Sequence, residues 1–164
     1  MTDRPRTTIK TIVIDIGSEI RELSTKSQAG TVLVSAAVVE DHLQKLLLTK
    51  MRTLSNNKAK RIFNGPLRSF AAKIDVAYAF ELIDDELYDD LTVIRDIRNE
   101  FAHSVVETDF SSPEIIELVQ KLKPPDASVD AFSFFQLKIR SCADQIEAKL
   151  NRILFDNAVS DSSS

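Results

Sequence analysis

Residues 84–103 read DDELYDDLTVIRDIRNEFAH, and this stretch decides the fold class. At ~100° per residue, Leu87, Leu91, Ile94, Ile97 and Phe101 fall on one arc, the pattern of a helix that buries a single face. Asp84 stands where an N-cap belongs, with Asp85 and Glu86 in the first turn, where the helix dipole favours negative charge. The pattern predicts a helix to about Ala102. Arg98 lies inside the apolar arc. A guanidinium keeps its charge, so it must snorkel to water, pair with a carboxylate, or line a cleft that admits solvent or an anion. His103 projects roughly 140° from Arg98 on a straight helix, so the two converge only if the helix unwinds after Phe101. Ser104 and the β-branched Val105 and Val106 are residues that can stop it there.

The same period recurs on both sides. Upstream, Leu67, Phe70, Ala71, Ile74, Ala77 and Tyr78 predict a helix from Pro66 to about Leu82, opened by Gly65 and a proline at the first helical position. The preceding SNNKAKRIFNG, 55–65, reads as a polar linker. Before it comes a helix over 31–52, small and apolar around most of its circumference, as suits a central element. STKSQAG, 24–30, looks like a turn, and Ile9, Ile12, Val13, Ile16, Ile20 and Leu23 recur at helical spacing over 9–23. Downstream, Ser111, Ser112 and Pro113 open a short helix to about Lys121, and Pro124 and Pro125 stop it. A last helix over 129–155 carries Phe132, Phe135, Ile139, Cys142, Ile146, Leu150 and Ile153 on one stripe.

Three glycines and five prolines in 164 residues suit long helices with few turns. The expectation is an all-α protein, an up-down helical bundle with a short extra helix and a long C-terminal one. Residues 1–7 form a flexible N-terminus, 8–155 one domain and 156–164 a disordered tail. The apolar stripe of the last helix and the broad apolarity of the central one predict a homodimer with both near the interface.

Composition narrows the function. With 43% hydrophobic and 28% charged residues, and no apolar run near the ~20 residues that span a bilayer, no membrane association is expected. The opening MTDRPRTT has no following apolar h-region, which points to the cytoplasm. The single cysteine, Cys142, and two histidines offer neither a disulfide nor a structural zinc set, and Cys142 reads as a small buried hydrophobe. Phosphate-cradling glycine loops, H-E-x-x-H and G-x-S-x-G are all missing, and the acidic run at 84–90 lacks the spacing of a calcium loop. No cofactor and no metal are expected. His42, beside Glu40 and Asp41, reads as a polar-face residue.

Net charge is −4, from 21 basic and 25 acidic residues, but it is unevenly spread. Between His42 and Ile74 there is no carboxylate, while Lys45, Lys50, Arg52, Lys58, Lys60, Arg61, Arg68 and Lys73 all fall there. The next stretch reverses the sign, from Asp75 to Glu100. Two readings stand: neighbouring helices whose solvated faces attract, or a phosphate-binding surface.

Residues 63–104, FNGPLRSFAAKIDVAYAFELIDDELYDDLTVIRDIRNEFAHS, resemble the mannitol operon repressor family in the G-P-L opening, the amphipathic helix, the acidic turn and the R-x-x-x-x-H ending. The resemblance implies an all-helical regulator of sugar-alcohol uptake genes. Net acidity and the lack of a basic recognition helix argue against autonomous operator binding, so a corepressor or adaptor, with a protein partner supplying DNA contacts, is the expected role. The same ending is similar to the motif of HEPN domains, helical bundles many of which are metal-independent ribonucleases. Arg98, Asn99 and His103 would match that motif, the histidine acting on the proton of a 2′-hydroxyl and the arginine stabilising phosphorane charge. Under this alternative, Lys58, Lys60 and Arg61 would contact RNA phosphates.

Overall fold

The computed structural model describes residues 27–104, 108–125 and 128–161. The helix expected over 9–23 and the segment 1–7 lie outside them. Six helices and no strand occur among the described residues: α1 (Gln28–Lys50), α2 (Asn56–Phe63), α3 (Phe70–Ala79), α4 (Asp85–His103), α5 (Pro113–Lys121) and α6 (Ala131–Asp161). The all-α expectation holds.

α1 is the central helix, packed against α6, α4 and α3. Val32, Ala36, Val39, Leu43, Leu46 and Leu47 are its buried face, and it meets Leu87, Leu91, Ile94 and Ile97 of α4 with Phe135, Cys142 and Ile146 of α6 in one continuous core. Each large side chain so enclosed contributes on the order of 1.5–3 kcal/mol by leaving water. α4 and α6 run antiparallel. Phe110, in the connection after α4, stacks on Phe101 near the end of α4 and on Phe132 and Phe135 near the start of α6, with ring centroids 5.1–5.3 Å apart. At the other end Asp84 reaches Lys149 at 3.4 Å. Gln28 ties the start of α1 to the aromatic end by accepting from the Phe110 N–H at 3.0 Å.

Helix starts follow their caps. Ser27, Ser69 and Asp84 accept from the N–H groups of Gly30, Ala72 and Leu87, and Asp130 accepts from Ser133 at 2.8 Å. Two of these caps move expected boundaries. Ser27 starts α1 at Gln28, inside the segment read as a turn, and Ser69 starts α3 at Phe70 rather than at Pro66. Gly65 and Pro66 belong instead to a tight turn, in which the Leu67 N–H donates to the Ile62 carbonyl at 3.0 Å. A Cβ at Gly65 would sit 2.7 Å from the Arg61 carbonyl oxygen, so a side chain is excluded there.

Two further differences concern extent. The polar linker is helical as α2, because no breaker occurs between Asn56 and Phe63 and the buried Phe63, with half-buried Ala59 and Ile62, gives it an inner face. The last helix continues to Asp161 instead of giving way to a disordered tail at 156, since no glycine or proline interrupts it.

Helix ends carry the one kind of backbone strain seen. Glu81, with φ 55°, follows α3 in the left-handed region; its N–H donates to the Tyr78 carbonyl and that of Leu82 to Ala77, both at 2.9 Å. This is the double closure that glycine usually serves. Lys123, φ 57°, follows α5 in the same region with a single closing bond, its N–H donating to the Gln120 carbonyl at 3.0 Å, since Pro124 after it has no N–H to give.

Candidate functional site

Arg98 and His103 stand on one unbroken helix. α4 runs through His103, and its last turn closes on Ser104, whose N–H donates to the Glu100 carbonyl at 3.0 Å. The unwinding after Phe101 that convergence requires is absent, and five residues of regular helix hold the two side chains roughly 140° apart. Arg98 is half-buried and His103 exposed. The guanidinium donates from Nη1 to Oδ1 of Asn99 at 3.0 Å, with no carboxylate partner among the described residues. It snorkels, laying its stem along the apolar arc while its head reaches solvent. Arg95 makes a similar local bond, donating from Nε and Nη2 to Asp96 at 3.0 and 2.6 Å. His103 lies in the last turn, where a cation is favoured by the helix dipole. Within one chain, Arg98 and His103 therefore leave α4 in different directions, while Asn99 bonds to the guanidinium and lies one turn before His103.

The buried ionic groups are elsewhere, and the sequence reading passed over them. Asp90 of α4, 8% exposed, receives Nζ of Lys138 from α6 at 2.6 Å. Burial works against the Lys138 ammonium, but the Asp90 hydrogen bond and charge outweigh it and raise its pKa. Lys73 of α3, 4% exposed, donates to Glu40 of α1 at 2.5 Å and to the Arg68 carbonyl at 3.4 Å. Each pair pins two helices of the bundle in register. Asp90 is legible in the sequence: on the wheel of α4 it falls inside the arc that Leu87, Ile94 and Ile97 define. Cys142 is enclosed beside the first pair, and burial, with the Asp90 charge, pushes its thiol up to about 12. It is an inert core group, as expected. His42 is half-buried rather than on an open polar face, and its Nδ1 is shielded from solvent without a hydrogen-bond partner.

α3 and α4 are also braced reciprocally at the surface. Tyr78 of α3 donates to Asp85 at 2.7 Å, and Tyr88 of α4 donates to Asp75 at 3.1 Å, with the rings 4.7 Å apart. The hydrogen bond to a carboxylate raises each phenol pKa. Beside them a shallow open trough lies between Tyr78, Glu81, Asp84, Asp85 and Lys149. No cluster of histidine, cysteine and carboxylates able to hold a metal occurs among the described residues. None of the helices described is long and apolar enough to cross a membrane.

Lys58, Lys60 and Arg61 all project from α2 into solvent. Phe63 faces the other way into the core, so the helix presents only charge and amide groups outward.

What the geometry defines is a small all-α bundle with its ionic groups divided between buried helix-to-helix pairs and an uneven charged surface. A family model described as mannitol repressor matches residues 61–156, more than half of the chain, and the chain belongs to that family. Among solved structures it is similar to the X-ray structure of the MtlR-HPr complex from Escherichia coli, with a TM-score of 0.53 and 17% identity, covering 84% of this chain and 97% of that one. That likeness is one of fold. No curated protein matches the sequence.

Proposed function

We propose that the chain is a cytoplasmic, homodimeric regulator of sugar-alcohol uptake genes that acts as an adaptor, through contacts with other proteins and without reading an operator itself. The observation that carries this reading is the mannitol-repressor match over 61–156. Three features support the protein-contact part. A protein of the same fold is known in complex with HPr. The net charge of −4 opposes binding to a phosphate backbone. No helix pair among those described offers a basic recognition helix, since α4 and α5 are acid-rich at their starts and α2 is only two turns long.

The test is a paired titration of the purified full chain. Calorimetry against HPr should give saturable binding, while a mobility-shift series with mannitol-operon promoter DNA at physiological salt should give no sequence-selective complex. Nanomolar, selective DNA binding by the chain alone would replace the adaptor with a direct repressor. The homodimer is read from light scattering, where the expected mass is twice 18.4 kDa.

A further inference from the structure

The basic residues around α2 are the densest run of unpaired cations among the described residues. Elsewhere several cations find local carboxylates, Lys45 with Asp41 at 2.6 Å, Arg95 with Asp96 at 2.6 Å, Lys121 with Glu117 at 4.0 Å and Lys149 with Asp84 at 3.4 Å, and the exposed ones left without an ion pair among the described residues, Lys123, Arg140 and Arg152, are spread over thirty residues rather than gathered. Lys50, Arg52, Lys58, Lys60, Arg61 and Arg68 are all exposed, and none has a carboxylate partner among the described residues. Six cations fall between Lys50 and Arg68, at the end of α1, in the link after it, on α2 and in the turn that follows. A helix dipole accounts for Lys50 in the last turn of α1 and for Lys60 and Arg61 in the last turn of α2, but not for Arg52, Lys58 and Arg68. Uncompensated like charges held this close repel one another, and an anionic partner relieves that repulsion.

Two observations choose the partner's class. Single-stranded nucleic acid is held by aromatic platforms beside the cations, and α2 has none: its one aromatic residue, Phe63, is buried. A long polyanion would also continue past the patch onto a surface of opposite sign, since Asp75, Asp85, Glu86 and Asp89 are exposed on the adjoining α3 and α4. A protein segment with a short block of carboxylates meets only the cations. We infer that α2 and its flanking residues Arg52 and Arg68 form a docking site for an acidic protein segment, the second partner that an adaptor must hold. This rests on the adaptor reading above.

The experiment uses fluorescence anisotropy of the full chain with a labelled decaglutamate peptide and, as a competitor class, a ten-residue uridine oligonucleotide. Decaglutamate should bind in low salt and lose affinity as salt rises, by screening. The variant Lys58→Gln/Lys60→Gln/Arg61→Gln should weaken it about tenfold, the sum expected of three exposed charge contacts. These side chains are solvent-facing, so the helical circular dichroism of the variant should be unchanged. Unaltered decaglutamate affinity in the variant would overturn the proposal. Tighter binding of the oligonucleotide through the same three residues would overturn it too, assigning the surface to nucleic acid. HPr titration of the same variant separates the two claims: retained HPr binding with lost peptide binding leaves both standing, whereas peptide binding without HPr binding leaves the docking site and removes its adaptor context.

Discussion

Removing Asp90 should destabilise the bundle through Lys138 rather than through the lost carboxylate itself. In Asp90→Ala the ammonium keeps its charge but loses its 2.6 Å partner, between helices where its side chain is only 22% exposed and that of Asp90 11%. Breaking a fully buried pair costs about 3–5 kcal/mol and a surface pair about 0–1 kcal/mol. Partial access to water places this one between them, at about 2 kcal/mol. With a urea slope of about 2 kcal/mol per molar, the unfolding midpoint should fall by about 1 M. Asp90→Leu combined with Lys138→Met, which removes both charges and retains apolar volume, should recover most of the loss. The pH dependence has a definite sign. The folded pKa of Lys138 is raised, so the stability it brings is complete below the unfolded lysine value and is lost as pH rises through the folded one, that is, above about 10.5. Asp90→Ala should flatten that alkaline limb. A midpoint shift below about 0.2 M in Asp90→Ala, or a double variant whose loss equals the sum of the two single ones, would refute the reasoning.

Acid should act at the helix starts. The Leu87 N–H lowers the pKa of Asp84, the Ser111 side chain that of Asp109, and the Ser133 N–H that of Asp130, so their contribution is complete above the unfolded carboxylate value and disappears as pH falls below about 4. Urea midpoints should therefore drop between pH 4 and 2, and replacing the three aspartates by the neutral cap asparagine should flatten the drop. At the end of α3, Glu81→Gly relieves a left-handed residue and should raise stability by roughly 0.5–1 kcal/mol, seen as a gain of about 1–4 °C in melting temperature. An unchanged or lower temperature would show that the Glu81 side chain makes up for its backbone.

Much of the fold is legible because it depends on local periodicity. Leu87 through Phe101 repeat at helical spacing, and that repeat alone places α4 and its buried arc. Boundaries were harder where two signals compete. Gly65-Pro66 is a good helix start on composition, yet Ser69 sits at the position where its hydroxyl can accept from the Ala72 N–H, and that bond sets the first turn. α2 was illegible for a different reason. Its only inward residues are Ala59, Ile62 and Phe63, too few for a period to emerge from a charged octapeptide. The extension of α6 past 155 is the reverse case: the tail's small polar residues suggest disorder, but no glycine or proline among them stops a helix that has run unbroken since Ala131.

The ionic groups divide along another line, between what one helix wheel shows and what needs two helices. A wheel marks both Asp90 and Arg98 as polar residues near an apolar arc, and does not say which is enclosed. What stands opposite each residue decides it. Asp90 lies opposite α6, where Lys138 covers it, while Arg98 stays half-buried and its long stem can reach water unaided. A short carboxylate has no such reach, so at equal depth the acid needs a partner and the arginine does not. Arginine in an apolar arc is the more conspicuous of the two, but the enclosed group is Asp90, while Arg98 bonds to Asn99 and leaves α4 in a different direction from His103. With Lys73 and Lys138 each committed to a carboxylate inside the bundle, the largest group of cations left without a carboxylate among the described residues is the one gathered at α2. That leaves the surface of the bundle, more than any side-chain cluster within it, as the place where this chain can meet another molecule.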